Sequence, residues 1–212
     1  MCALERKFGE SVTHFNAATS RHLAMDSEFK KLIGQHKNVI KSFLEAREKL
    51  SYWWRRKIEL NGIKIRLIAR GNTATAAYSV QIGDKIFFIK EQARGKARYD
   101  SFRAYFDLAA PQGEALERAE KLVLKNKKQF PNIEIAKPRL TWTNRGLSFL
   151  VTDFYDGKTL DKINPKIIPD DIYTQFLEVT KLLTSYGFHD FHPSNIIWLP
   201  KDNKIVFIDL RY

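Results

Sequence analysis

Two short turn signals, each set between alternating apolar stretches, constrain this chain more than any other feature. Asn61-Gly62 lies between Ile58-Glu59-Leu60 and Ile63-Lys64-Ile65-Arg66-Leu67. Asn-Gly accepts the positive φ angles of a type I′ turn, and its flanks alternate apolar and polar side chains, so the segment predicts a β-hairpin. Gly83-Asp84 turns the chain in the same way between Tyr78-Ser79-Val80-Gln81-Ile82 and Lys85-Ile86-Phe87-Phe88-Ile89-Lys90. Three or four sequential antiparallel strands follow from these two signals.

The flanking segments are read by their period. Residues 1–25 are polar and aperiodic, the pattern of a loose arm. From Asp26, apolar Phe29, Leu32, Ile33, Ile40, Phe43, Leu44 and Leu50 recur at spacings of three and four, which predicts helix. Asp26 or Ser27 serves as its cap, with Glu28 in the first turn. In Tyr52-Trp53-Trp54-Arg55-Arg56, aromatics beside arginines suit a membrane headgroup layer. Packing of the helix onto the next domain is the preferred reading. Small residues, Gly71-Asn72-Thr73-Ala74-Thr75-Ala76, separate the hairpin from the next strand, and a basic loop runs from Arg94 to Arg103. A helix is expected from Gln112 to Lys128, with Leu116, Ala119, Val123 and Leu124 as its stripe and Glu120 falling on that stripe. Strands are expected at 133–135, 139–143 and 147–152, then a connector, Asp153 to Gly157. A helix from Asp170 to Tyr186 follows, with Gly187 at its C′ position. Strands at 195–199 and 204–209 close the sequence.

The 212 residues are 44% hydrophobic, enough for a core, and suit one domain or a two-lobed domain with an extension. The net charge of +12 points to an anionic partner: nucleic acid, a phosphate-bearing metabolite or an acidic membrane surface. A solvated lysine-rich surface is the plain alternative. Cys2 is the only cysteine, so an internal disulfide and a zinc-type cysteine cluster are both excluded. No apolar run approaches the roughly 20 residues that span a bilayer, and the first residues lack the apolar stretch of a signal peptide. His14, His22 and His36 stand at no metal-ligand spacing.

Chemistry is concentrated near the end of the sequence. Gly187-Phe188-His189-Asp190-Phe191-His192-Pro193-Ser194-Asn195 is followed by two apolar strands, the second reading Ile205-Val206-Phe207-Ile208-Asp209. Asp190 precedes Asn195 by five positions on a predicted loop, and Asp209 closes a strand. This order resembles the protein-kinase superfamily, whose catalytic loop carries Asp, four residues, then Asn, with a metal-binding Asp ending a nearby strand. Phosphoryl transfer needs a carboxylate to orient and deprotonate the attacking hydroxyl, and oxygen ligands to hold magnesium against the triphosphate. The resemblance implies Asp190 as base, and Asn195 and Asp209 as Mg2+ ligands. Lys90 ends a strand and shares a face with Ile86 and Phe88 by period two. The resemblance gives it the nucleotide phosphates and a helix glutamate as partner, Glu120 first and Glu117 second. It places Gly71, Asn72 and Thr73 in the phosphate-covering loop, and Asp153 and Tyr155 in the hinge that reads adenine through its backbone.

The likeness runs from about Lys57 to Tyr212. It implies an α+β, bilobal protein-kinase-like fold: an antiparallel-sheet N-lobe over 57–152, and a hinge with a truncated, minimal helical C-lobe over 153–212. A helical N-terminal extension over 1–56 precedes them. The Asp-x-His-x-x-Asn form of the loop is similar to small-molecule kinases, among them aminoglycoside phosphotransferases, choline kinases and lipopolysaccharide-core heptose and Kdo kinases. The Arg98–Arg103 loop, the long helix and Phe130-Pro131 look most like the last group. Gly71-Asn72-Thr73-Ala74 and Asp209-Leu210-Arg211 also resemble minimal protein kinases injected by bacterial pathogens. The sequence departs from the superfamily at Phe188, where a bracing histidine is usual, and at Phe88, where a small residue touches adenine. With three residues after Asp209, no activation loop or peptide platform is expected. The implied function is ATP- and Mg2+-dependent transfer to a hydroxyl, with a sugar or glycolipid acceptor first, a protein second, and a pseudokinase as the non-enzymatic reading. Nucleic acid ranks last as a partner. A cytoplasmic location is expected, with peripheral membrane contact or secretion as an effector left open.

Overall fold

A computed structural model describes residues 26–35, 38–50, 56–93, 95–96, 105–106, 109–144 and 147–212, except 71–75. The helical period that begins at Asp26 is realised as two helices, α1 (Ser27–Gln35) and α2 (Val39–Leu50). Asn38 stands just ahead of α2 with φ 69°, a left-handed conformation that asparagine tolerates better than most residues. Asp26 caps as expected, its Oδ1 accepting the Glu28 N–H at 3.1 Å.

The expected antiparallel meander is present: β1 (Lys57–Leu60), β2 (Ile63–Arg70), β3 (Ala76–Ile82) and β4 (Lys85–Ala93). Its first turn uses Asn61 and Gly62 at φ 51° and 79°, as the Asn-Gly signal required. Next come the short pair β5 (Gly95–Lys96) and β6 (Tyr105–Phe106), α3 (Ala109–Lys125), β7 (Ile133–Ile135), β8 (Pro138–Asn144) and β9 (Leu147–Asp153). Helix α3 begins three residues earlier than expected because Pro111 fits its first turn, where a missing N–H costs nothing. It also ends earlier, and residues 126–129 form turns. The chain continues through β10 (Lys158–Thr159), α4 (Asp170–Ser185), β11 (Ile196–Leu199) and β12 (Lys204–Phe207).

Two sheets organise these elements. The larger has six antiparallel strands in the order β1-β2-β3-β4-β9-β8. The smaller, β10-β11-β12-β7, is mixed, since β7 runs parallel to β12 with Ile133 opposite Ile205. The α+β class is therefore as expected. The parallel β7–β12 pair was not visible in the sequence, because its partners lie far apart along the chain.

Each face of the large sheet has its own covering. On β4, Phe87, Ile89 and Glu91 are buried on one face, while Phe88 and Lys90 point to the other and are half-buried. The first face packs with Ile65, Val80, Trp142 and Val151 against Phe29, Val39, Phe43 and Leu50 of α1 and α2. Phe43 is 1% exposed and meets Tyr78, Trp142 and Phe149 edge-on. Truncating such a buried ring to alanine costs about 3–5 kcal/mol, so the N-terminal helices are part of the sheet's core. Leu150, on the opposite face of β9, joins α3, β7, α4 and β12 in a second core with Leu116, Ile133, Val179 and Phe207. The cleft lies where these two cores meet, at the end of β4 and the loops before β11 and after β12.

Candidate active site

The loop between α4 and β11 is shaped by its own residues. After α4, Gly187 takes φ 87°, and the Gly187 and Phe188 amides donate to the Thr184 and Leu183 carbonyls at 2.9 and 3.1 Å. This is the helix end that the glycine signalled. Phe188 is 4% exposed and meets the Tyr212 ring edge-on at 5.1 Å, so this position braces the loop by apolar packing. His189 and Arg211 then exchange both backbone hydrogen bonds, at 2.9 and 3.2 Å. The segment after Asp209 is thereby fastened alongside the loop.

Asp190 sits between these contacts at φ 74°. A non-glycine residue in this region carries a conformational cost of about 1–3 kcal/mol, and such costs cluster at functional sites. Its carbonyl accepts from the Asn195 side-chain amide at 3.1 Å, and its carboxylate faces Arg211 Nε at 3.2 Å. His192 caps the short helical turn Pro193–Asn195, its Nδ1 accepting the Ser194 N–H at 3.3 Å and lying 2.8 Å from Ser194 Oγ. The histidine thus fixes the loop by hydrogen bonding.

Lys90 and Asp209 meet across the cleft. The Lys90 ammonium donates to Asp209 Oδ2, although the two stand 119 residues apart. Both are largely shielded, their side chains 23% and 14% exposed. Strand β12 ends at Phe207 and not at Asp209 as expected; the Ile208 N–H instead donates to the Asn195 carbonyl at 2.9 Å, so the segment carrying Asp209 is tied to the loop carrying Asn195. Asp190, Asn195, Asp209 and Lys90 therefore form one connected group, assembled from β4, the α4–β11 loop and the end of β12.

These residues suit a magnesium ion. Asp209 Oδ1 is buried with no hydrogen-bond partner, an uncompensated oxygen that a hard cation would satisfy. Asn195 spends its amide N–H on the Asp190 carbonyl, which leaves its side-chain oxygen as a potential metal ligand. Two oxygens on adjoining elements are the kind of partial set that magnesium completes with phosphate and water.

The expected Lys90–Glu120 pair does not form. Helix α3 crosses β8 and β9, and its polar reach to β4 is made by Gln112, which accepts from Gln92 at 2.8 Å. Glu120 lies about two turns further along, about 12 Å by helical rise, near the end of β9. Its charged neighbours are Lys137, Glu117, Arg139 and Asp153, and burial is the largest influence, holding its carboxyl above the ordinary value. Glu117 pairs on the helix surface with Lys121 at 2.8 Å.

At the end of β9, the Asp153 carboxylate is taken by Arg139, with Nε and Nη2 each 2.7 Å from an oxygen. Arg139 Nη1 also donates to Asp26, and the Asp26 N–H donates to the Arg139 carbonyl at 3.2 Å. The Asp153 backbone is engaged as well, its carbonyl accepting the Thr152 hydroxyl at 3.1 Å and the residue pairing with Phe87 of β4. The Tyr155 hydroxyl lies 3.4 Å from the Lys137 N–H, and burial pushes it up to about 12. Gly71, Asn72 and Thr73 lie outside the described residues, as do Trp53, Trp54 and the three N-terminal histidines.

The sequence reading missed two charged residues. Glu91, 4% exposed, accepts Arg47 Nε and Nη2 at 2.5 Å each and the Tyr78 hydroxyl at 2.9 Å. Period two placed Glu91 on the apolar face with Phe87 and Ile89, and that was a usable signal. Nothing local marked Arg139, whose partners come from the chain before α1 and the end of β9. Among the described residues, no helix is long and apolar enough to cross a membrane, and no group of three or more His, Cys, Asp or Glu forms a metal cluster.

No family model matches the chain, and no curated protein matches it by sequence. Solved structures similar to it are kinase domains. The Mycobacterium tuberculosis PknI kinase domain is 16% identical with a TM-score of 0.42, the match covering 72% of this chain and 61% of that one. The BubR1 kinase domain is 14% identical with a TM-score of 0.42, covering 88% of this chain and 58% of that one. The structure titled PpkA-294 apo form is 16% identical with a TM-score of 0.43, covering 72% and 59%. The chain thus spans about three-fifths of the length of the structures it matches.

Proposed function

We infer that this protein is an ATP- and Mg2+-dependent phosphotransferase acting on a hydroxyl acceptor. The observation that carries this reading is the meeting of Lys90 with Asp209 beside Asp190 and Asn195. A surface loop that carried Asp and Asn by chance would have no reason to gather a lysine from β4 and a buried, unpartnered carboxylate oxygen. When bound, magnesium would neutralise the triphosphate and hold its oxygens in place. Asn195 and Asp209 would hold that ion. Lys90 moves its ammonium from Asp209 toward the nucleotide phosphates. Asp190, oriented by the loop and by Arg211, accepts the proton of the attacking hydroxyl at a carboxylate oxygen. The Asp153–Tyr155 backbone receives adenine, and Gly71, Asn72 and Thr73 cover the phosphates.

The acceptor is a sugar of the lipopolysaccharide-core type. The Asp-x-His-x-x-Asn loop and the net charge of +12, suited to phosphate-rich glycolipid, support this choice. The test is radiolabelled ATP incubated with pools of core-sugar glycolipid, aminoglycoside and protein, using wild type and Asp190→Ala. Label should enter the glycolipid and depend on Asp190. Label found on protein alone would replace the sugar acceptor with a protein one. Absence of any Asp190-dependent transfer would reject phosphotransfer altogether.

A further inference from the structure

We propose that Arg47 and Glu91 are positioning residues for Lys90, so that the N-terminal helices set the geometry of the phosphate-binding lysine. This rests on the phosphotransferase reading of the Lys90–Asp209 site. Glu91 follows Lys90 directly on β4, and the two side chains leave the strand on opposite faces. Lys90 enters the cleft toward Asp209, whereas Glu91 is buried beneath α2 and held there by Nε and Nη2 of Arg47 and by the Tyr78 hydroxyl. A fork of two parallel charge-assisted bonds fixes direction as well as distance.

The need for such a grip is local. Opposite Lys90 and Glu91 on β3 stand Ala77 and Ala76, whose methyl groups give the strand little lateral packing. On β9 the same two residues face Leu150 and Phe149. One side of β4 is thus packed by large side chains and the other by small ones just where the lysine must be placed. The carboxylate clamp supplies the missing constraint from the helix layer. Arg139 makes a second tie from that layer, joining Asp26 to Asp153 at the end of β9. Arg47 of α2 and Asp26 just before α1 therefore tie the helix layer to both the lysine strand and the end of β9.

The test uses the full chain as wild type, Arg47→Met, Arg47→Lys, and Leu32→Ala as a control. Leu32 packs on the same core but belongs to α1 and lies outside the clamp. Two quantities are read well below each variant's Tm. One is the acetylation rate of Lys90 by acetic anhydride, by mass spectrometry. Lys204, paired with Glu134 in the small sheet, is its internal reference. The other is the Mg-ATP dissociation constant by calorimetry. Arg47→Met should raise the Lys90/Lys204 acetylation ratio at least fivefold and weaken Mg-ATP at least tenfold, with partial recovery in Arg47→Lys. Leu32→Ala should lower Tm alone.

The proposal falls if folded Arg47→Met leaves both readouts within twofold of wild type, or if Leu32→Ala reproduces its changes. If wild type itself binds no Mg-ATP, the nucleotide reading fails and the acetylation ratio alone decides the positioning role. Should Arg47→Met not fold, the double variant Arg47→Met/Glu91→Met restores apolar packing without the clamp. It should show the same acetylation change, and an unchanged ratio there overturns the proposal.

Discussion

Gly157 lies just before β10, and its replacement by alanine is the most exposed quantitative test of the packing around the Asp190–Asn195 loop. A Cβ at Gly157 would lie 2.3 Å from the Trp198 carbonyl oxygen, 2.4 Å from Ile197 Cγ2 and 2.8 Å from Leu199 Cδ2. All three belong to β11, the strand that leaves the loop at Asn195. The leucine methyl can rotate away, but the Trp198 carbonyl is backbone in a strand paired on both sides, to β10 and β12. Relief therefore requires β10 to move off β11 by about 1 Å, breaking the Lys158–Trp198 register. Overpacking a tight site costs about 1–3 kcal/mol, and a backbone obstacle puts this case at the upper end. In a chain of this size about 3 kcal/mol lowers Tm by roughly 6–12 °C. Gly34 supplies the opposite sign as an internal control, because it lies in α1 with nothing within 4 Å of a Cβ. Gly34→Ala should raise stability by about 0.5–1 kcal/mol through reduced chain entropy. Urea denaturation of both variants reads these differences directly. A Gly157→Ala protein within about 0.5 kcal/mol of wild type would refute the claim that β10 and β11 are locked at this point.

Four further outcomes follow from the geometry. Lys90→Met and Asp209→Leu should each destabilise the fold, because each strands a shielded charge. The double variant should recover about 1–3 kcal/mol of the summed loss in a urea-based mutant cycle. Glu120→Gln should raise Tm at pH 7. The folded-state pKa of Glu120 is raised, chiefly by burial, so its ionisation opposes folding as pH rises, and the gain should vanish below the ordinary carboxylate pKa. Asp26→Asn should lower Tm at neutral pH and leave it unchanged in strong acid. Burial tends to raise the Asp26 pKa, but the Glu28 N–H, Arg139 and Lys137 together lower it, so the stabilisation is present above the ordinary carboxylate range and lost as pH falls through the depressed value. His192→Ala should loosen the Pro193–Asn195 turn, seen as faster amide exchange at Ser194 and Asn195, whereas unchanged exchange would rule out the bracing role.

What could be read from the sequence was whatever depends on near neighbours. The Asn61-Gly62 turn, the alternation along β3 and β4, the Gly187 helix end and the Asp190–Asn195 spacing each involve residues a few positions apart, and each is present. Period two also put Lys90 on the same face as Phe88, opposite buried Phe87 and Ile89, as found. The partner of Lys90 was different in kind. Its assignment to Glu120 relied on the helix stripe, but a stripe gives the angle of a residue around a helix and says nothing of how far along the helix meets a given strand. The tertiary structure slides α3 so that Gln112 meets β4 and Glu120 is left near Arg139 and Asp153. Arg47 with Glu91, separated by 44 residues, and Arg139 with Asp26, separated by 113, were likewise hidden. Local patterns fix which side chains share a face. Which charges meet across faces is decided by the docking of whole elements, where burial makes an unpaired charge costly and so selects the pairings.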